Sequence, residues 1–242
     1  MLDHTIFNER PESQDRAIKE LQEMGYQYIP RAEAEKKRGH LSRVLFPDVI
    51  HEFLSSQSFT YRGKVCPFPD DAIGEAIREL DAPLEKGLMY ASKAVYDRLV
   101  YGKSCEIHLY DGNAQSFDIS YIDWEHPEKN IWQVTEEFSV ERLNGKFARP
   151  DIVILVNGIP LAVIECKKAS VDVEEGVKQN VRNWQPDYIP QLFKFAQLVI
   201  AANPDTVKYG TAGTTQEYYC KWHEEDREWQ EDSAKRYIVD AR

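Results

Sequence analysis

Residues 149–168 read RPDIVILVNGIPLAVIECKK, and this stretch restricts the possible folds more than any other part of the 242-residue chain. Two apolar runs, 152–156 and 161–164, are each of strand length and are divided by Asn157-Gly158, a dipeptide suited to the left-handed backbone of a tight hairpin. The polar residues stand at the outer ends: Asp151 opens the first strand, and Glu165 and Lys167 close the second. A three-residue loop at 157–159 sets Asp151 opposite Glu165, whereas a strict two-residue loop turns Glu165 to the other face. A shared site therefore requires the first register or a bulge. Alternation then puts Lys167 on the face of Glu165, with Cys166 turned into the core and Lys168 away.

Two carboxylates brought close at the mouth of a sheet repel each other unless a cation lies between them. Mg²⁺ is the fitting cation, with Mn²⁺ as a substitute, because it takes oxygen ligands, keeps several waters and completes its octahedron with a substrate phosphate. The Lys167 ammonium beside it would orient the attacking water and stabilise charge on phosphorus. The plain alternative is a pair of solvated strand ends, for which Asp before a strand and Glu-x-Lys after one are common. Against it, these residues end fully apolar strands, and a hairpin signal joins them.

The rest of the chain supplies layers around that hairpin. Ala17, Ile18, Leu21 and Met24 fall at helical spacing with Gly25 in the stopping position, which predicts an amphipathic helix over 13–24 packed on a sheet. From about 43 to 100 the pattern stays helical, marked by Ile73, Ile77 and Leu80 and then by Met89, Val95 and Leu99, with an extended SFTYRGKVCPFPDD between. After Gly102 the period changes to two in CEIHLYDG, FDISYIDW and WQVTEEFSVERL, where the sheet is expected to begin; Asn144-Gly145 is a second hairpin signal. Helices near 173–184 and 187–196, strands at LVIAAN and TVKYGTAG, and a charged helical tail from Lys221 complete an α/β reading.

Composition excludes some partners and complicates one. No apolar run approaches the roughly 18 residues of a membrane span, and MLDHTIFNERPESQD is too polar for a signal peptide, so a cytoplasmic protein without membrane contact is expected. Four cysteines without a CxxC pair and six histidines without metal spacing suggest neither a zinc cluster nor a disulfide framework. Tyr101-Gly102-Lys103-Ser104 resembles the end of a phosphate-binding loop, but Asp97 stands where its first glycine should be, so a helix-ending turn is expected and no ATP site. Net charge is −11, which repels duplex DNA, yet residues 142–182 hold seven basic residues against five acidic ones. Lys178 and Arg182, four apart on the predicted helix, are candidate phosphate contacts there, with a solvated helix face as the alternative.

At this point the stretch resembles a known family. RPDIVILVNGIPLAVIECKK is similar to the PD-(D/E)XK nuclease motif of the amino-terminal domain of the restriction (R) subunit of type I restriction-modification enzymes. The flanking NIWQVTEEFSVERLNGKF and IPQLFKFAQLVIAANPDTVKYGTAG, and the upstream ASKAVYDRLVYGKS and FTYRGK, extend the similarity over most of the chain. The resemblance implies a restriction-endonuclease-like fold, a mixed central sheet flanked by helices with an N-terminal helical part. It implies that Asp151 and Glu165 are metal ligands, the Cys166 carbonyl a backbone ligand and Lys167 the catalytic lysine. Members carry Gln-x-x-x-Tyr on the next helix; Gln179 matches, but the fourth position after it is Asn183, followed by Trp184. An acidic residue on the first helix is also usual, for which Glu12 and Asp15 are candidates. The implied partners are double-stranded DNA, methyltransferase and specificity subunits, and ATP-dependent translocase domains in a longer chain, of which this would be a fragment. The expected division is a nuclease domain at 1–220, with a helical scaffold at 1–102 and the catalytic sheet at 103–220, and a tail at 221–242 leading toward the motor. A repair or junction nuclease on the same fold and a degenerate, non-catalytic docking module are the alternatives.

Overall fold

The computed structural model describes residues 12–222, except the side chains of residues 12 and 13. The first half of the chain is mainly helical: α1 (Glu12–Glu23), β1 (Gln27–Ile29), α2 (Arg31–Arg38), α3 (Pro47–Ser55), β2 (Ser58–Tyr61), β3 (Lys64–Pro67), α4 (Asp70–Leu80) and α5 (Leu88–Tyr101). Strands dominate afterwards: β4 (Lys103–His108), β5 (Ala114–Ile119), β6 (Trp132–Glu136), β7 (Val140–Glu141), β8 (Phe147–Ala148), β9 (Ile152–Val156) and β10 (Ile159–Cys166). The remainder is α6 (Val173–Asn183), α7 (Pro190–Phe193), β11 (Leu198–Asn203), β12 (Thr206–Gly210) and β13 (Cys220–Lys221).

A seven-stranded mixed sheet runs in the order β1-β6-β9-β10-β11-β12-β13, with β1 parallel to β6 and β10 parallel to β11. The apolar hairpin β9–β10 occupies its centre, as strands buried on both faces should. On one face, Ile18 of α1, with Ala17 and Leu21, covers Val134, Ile152, Ile164 and Cys166. On the other, Val173 and Val177 of α6 join Val153, Val163, Val199 and Ala201 in a core that continues into α3, α4 and α5. The fold is thus α/β with a central mixed sheet flanked by helices, of the restriction-endonuclease-like kind.

Several local expectations change. The sheet starts before Gly102, because the three residues of β1 pair in parallel with β6. Strands β4 and β5, expected in the main sheet, form a separate hairpin. Their alternation gives the reason: Cys105 and Ile107 are buried while Glu106 and His108 are exposed, a pattern suited to covering one face only. The helix expected over 187–196 shrinks to α7, since Pro190 keeps Ile189 out of helical geometry and so fixes a late start. Met24 and Met89, assigned to buried helix faces, are 73% and 62% exposed. Gly102 does close α5, with φ 73. Residues 223–242, where a helical tail was expected, lie outside the described residues; just before them β13 pairs with β12.

Candidate active site

The connection between β9 and β10 is the two-residue turn, not the three-residue loop. Asn157 (φ 52) and Gly158 (φ 80) take left-handed backbone, and Val156 pairs with Ile159, Leu155 with Pro160. That register alone would turn Glu165 away from Asp151. A bulge at Leu161 corrects it: beyond that residue Ile154 pairs with Ala162, Val153 with Val163 and Ile152 with Ile164. One further step sets Asp151 against Glu165. The turn itself is buried, since Asn157 accepts from Ile131 N at 2.7 Å and donates to Tyr121 O at 2.9 Å, while Phe46 N at the start of α3 donates to Gly158 O at 2.9 Å.

At the far end of the hairpin the carboxyls of Asp151 and Glu165 come close enough for the charge of one to act on the other. Asp151 Oδ2 also accepts from Cys166 N at 2.7 Å. A strand residue's N–H and C=O point to the same side, so the Cys166 carbonyl is directed toward Asp151 as well. Glu165 is fully buried, yet its surroundings are polar: Gln179 Nε2 donates to Oε2 at 2.5 Å and Asn183 Nδ2 to Oε1 at 3.3 Å. Lys167 Nζ donates to Gln179 Oε1 at 2.8 Å and lies 3.9 Å from Glu165 Oε2. Gln179 therefore bridges the carboxylate and the ammonium. Helix α6 can bring it this close because Gly176 faces Ala201; a Cβ there would lie 3.1 Å from that of Ala201 and 3.5 Å from Lys167 Cγ.

Burial pushes both carboxyls above the ordinary carboxylate range. For Asp151 the Cys166 N–H, Lys167 and Arg149 pull the other way. Glu165 is raised well above it, by burial first and by the negative charge of Asp151 second, against the pull of Lys167 and Arg182. The Cys166 thiol is pushed up to about 12, chiefly by burial, which leaves it a neutral core group. Two repelling carboxylates and a carbonyl with no soft donor form an oxygen set that fits a hard divalent cation. Among the described residues no three histidine, cysteine or acidic side chains gather into a cluster. Mg²⁺ suits such a sparse set, because it is commonly held by one or two carboxylates with the rest of its shell left to water and phosphate.

The structure thus brings Asp151, Glu165, Lys167 and Gln179 together. Lys178 pairs with Glu175 at 2.6 Å, and Arg182 lies 5.3 Å from the Tyr188 ring; both are exposed on α6. Asp15 is exposed on α1, and the Glu12 side chain lies outside the described residues. The α1 residue that reaches the site is Gln14, fully buried, whose Nε2 donates to Asp151 O at 3.1 Å. Its signal was a polar residue on the same stripe as Ile18 and Leu21. Asn183 takes the tyrosine position of the Gln-x-x-x-Tyr pattern and supplies an amide donor to Glu165 instead, as its i, i+4 spacing from Gln179 allows.

Comparison with known proteins identifies the family. The family model of the type I restriction enzyme R protein N terminus matches residues 6–218. A Methanocaldococcus jannaschii chain named as a type I restriction enzyme MjaIXP endonuclease subunit is 25% identical over 89% of this chain and 20% of its own length. The type I restriction enzyme HindI endonuclease subunit of Haemophilus influenzae is 24% identical over 92% of this chain and 21% of its own. A Staphylococcus saprophyticus endonuclease subunit, SsaAORF53P, is 30% identical over 51% of this chain and 12% of its own. The chain spans about a fifth or less of the length of these relatives, and it belongs to the family of type I restriction enzyme R protein N termini.

Proposed function

We propose that this chain is the DNA-cleaving part of a type I restriction enzyme R protein, hydrolysing phosphodiester bonds with Mg²⁺ at Asp151, Glu165 and Lys167. What supports this is the register that sets two carboxyls of adjacent strands side by side, reached only because a bulge corrects the turn. A scaffold has no need of a buried repelling pair; a cation site does.

Asp151, Glu165 and the Cys166 carbonyl would hold the cation, which supplies a Lewis acid for the phosphate and lowers the pKa of water. The residues of the chain do the rest. Asp151 is held from two sides, by Cys166 N on its carboxylate and by Gln14 Nε2 on its carbonyl. Gln179 and Asn183 keep the Glu165 carboxylate oriented while Gln179 holds Lys167 on the same side. From there the Lys167 ammonium donates to a phosphate oxygen and positions the attacking water in line with the bond to the 3′ oxygen. Water adds to phosphorus and gives up a proton to solvent, the P–O3′ bond breaks, and the 3′ oxygen takes up a proton, leaving a 3′ hydroxyl on one end and a 5′ phosphate on the other. DNA sequence recognition, the ATP-driven motor and the methyltransferase and specificity subunits belong to other parts of the assembly, in a cytoplasmic setting.

The test is cleavage by the assembled enzyme carrying Asp151→Asn, Glu165→Gln or Lys167→Ala. Cutting falls to background in the first two and by about 10²–10³ or more in the third, while ATP hydrolysis continues. Wild-type cutting by Asp151→Asn would mean that the pair is structural and the chain a docking module.

A further inference from the structure

We propose that Arg149 is a second phosphate-binding side chain of the cleavage site, set in place by Glu137, and that it takes the phosphate next to the one being cut. This rests on the nuclease reading given above.

Strands β6 and β7 face β8 and β9 as one interrupted antiparallel ladder. Glu136 pairs with Ile152, Glu137 N donates to Asp151 O at 2.8 Å, Phe138 N donates to Pro150 O at 3.0 Å, and Val140 pairs with Ala148. In that ladder Glu137 lies across from Asp151, and Arg149 is its diagonal neighbour. Regular strand backbone would set the Glu137 carboxylate against that of Asp151 and add a third negative charge to the pair. Glu137 instead has φ 50, and its Oε2 is 2.6 Å from Arg149 Nε.

That backbone is the informative point. Among the described residues Arg62 and Asn157 also have left-handed φ, but each is the first residue of a two-residue hairpin turn and precedes a glycine. Glu137 has no such use. Glycine or asparagine would hold its backbone with less strain, so the glutamate side chain is what the position retains. What that side chain does is fix a guanidinium. Arg149 is exposed, its closest approach to Glu137 is through Nε, and no hydrogen bond from either Nη group is seen among the described residues. Such a fork is matched to phosphate oxygens, and a partly exposed ion pair is weak enough to be exchanged for them. Two residues of extended chain separate Arg149 from Asp151, roughly 6–7 Å, a separation that neighbouring phosphates of one strand also span. In a chain of net charge −11, DNA must be met by cations placed locally in this way.

The experiment is duplex binding by the 242-residue chain in Ca²⁺ as a function of salt, with Mn²⁺ calorimetry, melting temperature and cleavage in the assembled enzyme alongside. Arg149→Gln weakens binding and lowers the magnitude of the slope of log K against log salt by about 0.9, one phosphate contact's worth, with Mn²⁺ still bound and the melting temperature unchanged. Arg149→Lys and Glu137→Gln keep the wild-type slope yet cut more slowly, because a point charge or an unplaced guanidinium does not grip as well. A wild-type slope in Arg149→Gln, with or without a lower melting temperature, overturns the proposal and makes the ion pair a strut. Should that variant fail to fold, wild-type cutting by both Arg149→Lys and Glu137→Gln overturns it instead. Absence of Mn²⁺ binding or of cleavage in the wild type removes the nuclease reading and this one together; normal cutting with an unaltered slope removes this one alone.

Discussion

Glu165 carries a carboxyl into a position with no solvent exposure, and it does so between two amides and beside a second carboxyl. Both carboxyls titrate above their ordinary range when folded, so the folded state holds their protons more tightly than the unfolded chain does. Their contribution to stability is therefore greatest at low pH and is lost as pH rises through the raised values. Glu165→Gln, which keeps the shape and removes the charge, gains on the wild type as pH rises through the range above the ordinary carboxylate values. Melting temperatures without divalent cation read this directly; a constant gap across that range would contradict it. Glu165→Ala is the poorer test, since it strands the Gln179 and Asn183 donors at about 1–3 kcal/mol for a buried unpaired group. The pairing of these residues was legible in the sequence because a hairpin signal joins two apolar strands whose outer ends carry them. Gln14 and Asn183 were not, because an amide has no charge to mark it and its role depends on which backbone or carboxylate lies opposite.

At the scale of elements, the register of β9 on β10 decides whether there is a site. The sequence left two outcomes open, a longer loop or a bulge, and the bulge at Leu161 is the one taken, because Asn157-Gly158 is anchored in the interior as a two-residue turn. No periodicity distinguishes the two, since both strands are apolar at every position. Gly158 has φ 80, and a Cβ there would lie 2.8 Å from Phe46 O and 3.0 Å from Val49 Cβ. Gly158→Ala should therefore cost about 2 kcal/mol or more, from left-handed backbone and overpacking together, as chemical denaturation would measure; a change under half that would mean that α3 yields freely. The glycine of α6 is critical in another way. Gly176→Leu forces the helix off Ala201 and Lys167, so Gln179 no longer spans Glu165 and Lys167, and cleavage should fall more than stability does. Equal activity in that variant would dissociate the Gln179 bridge from the chemistry. The separate β4–β5 hairpin and the short α7 were misplaced in the sequence reading because pairing partners and proline-delayed helix starts depend on neighbours outside any local window.

For the molecule as a whole, charge and size set the terms. With 41 acidic against 30 basic residues, the 242-residue chain should bind duplex DNA weakly and with steep salt dependence. Sub-micromolar affinity at physiological salt would count against the local placement of its cations. Among the described residues no helix is long and apolar enough to cross a membrane. The fold class and its layers were legible from the apolar hairpin and the amphipathic α1, whereas the parallel edge strand β1 was not, being only three residues long. The central claim, that Asp151 and Glu165 share one divalent cation, is tested most directly by calorimetric titration of the chain with Mn²⁺ near neutral pH in buffers of different ionisation enthalpy. One site per chain is expected, with proton release on binding because the cation displaces protons from raised carboxyls, and with loss of the site in Asp151→Asn. Binding of equal strength in wild type and Asp151→Asn, or none in the wild type, would contradict it.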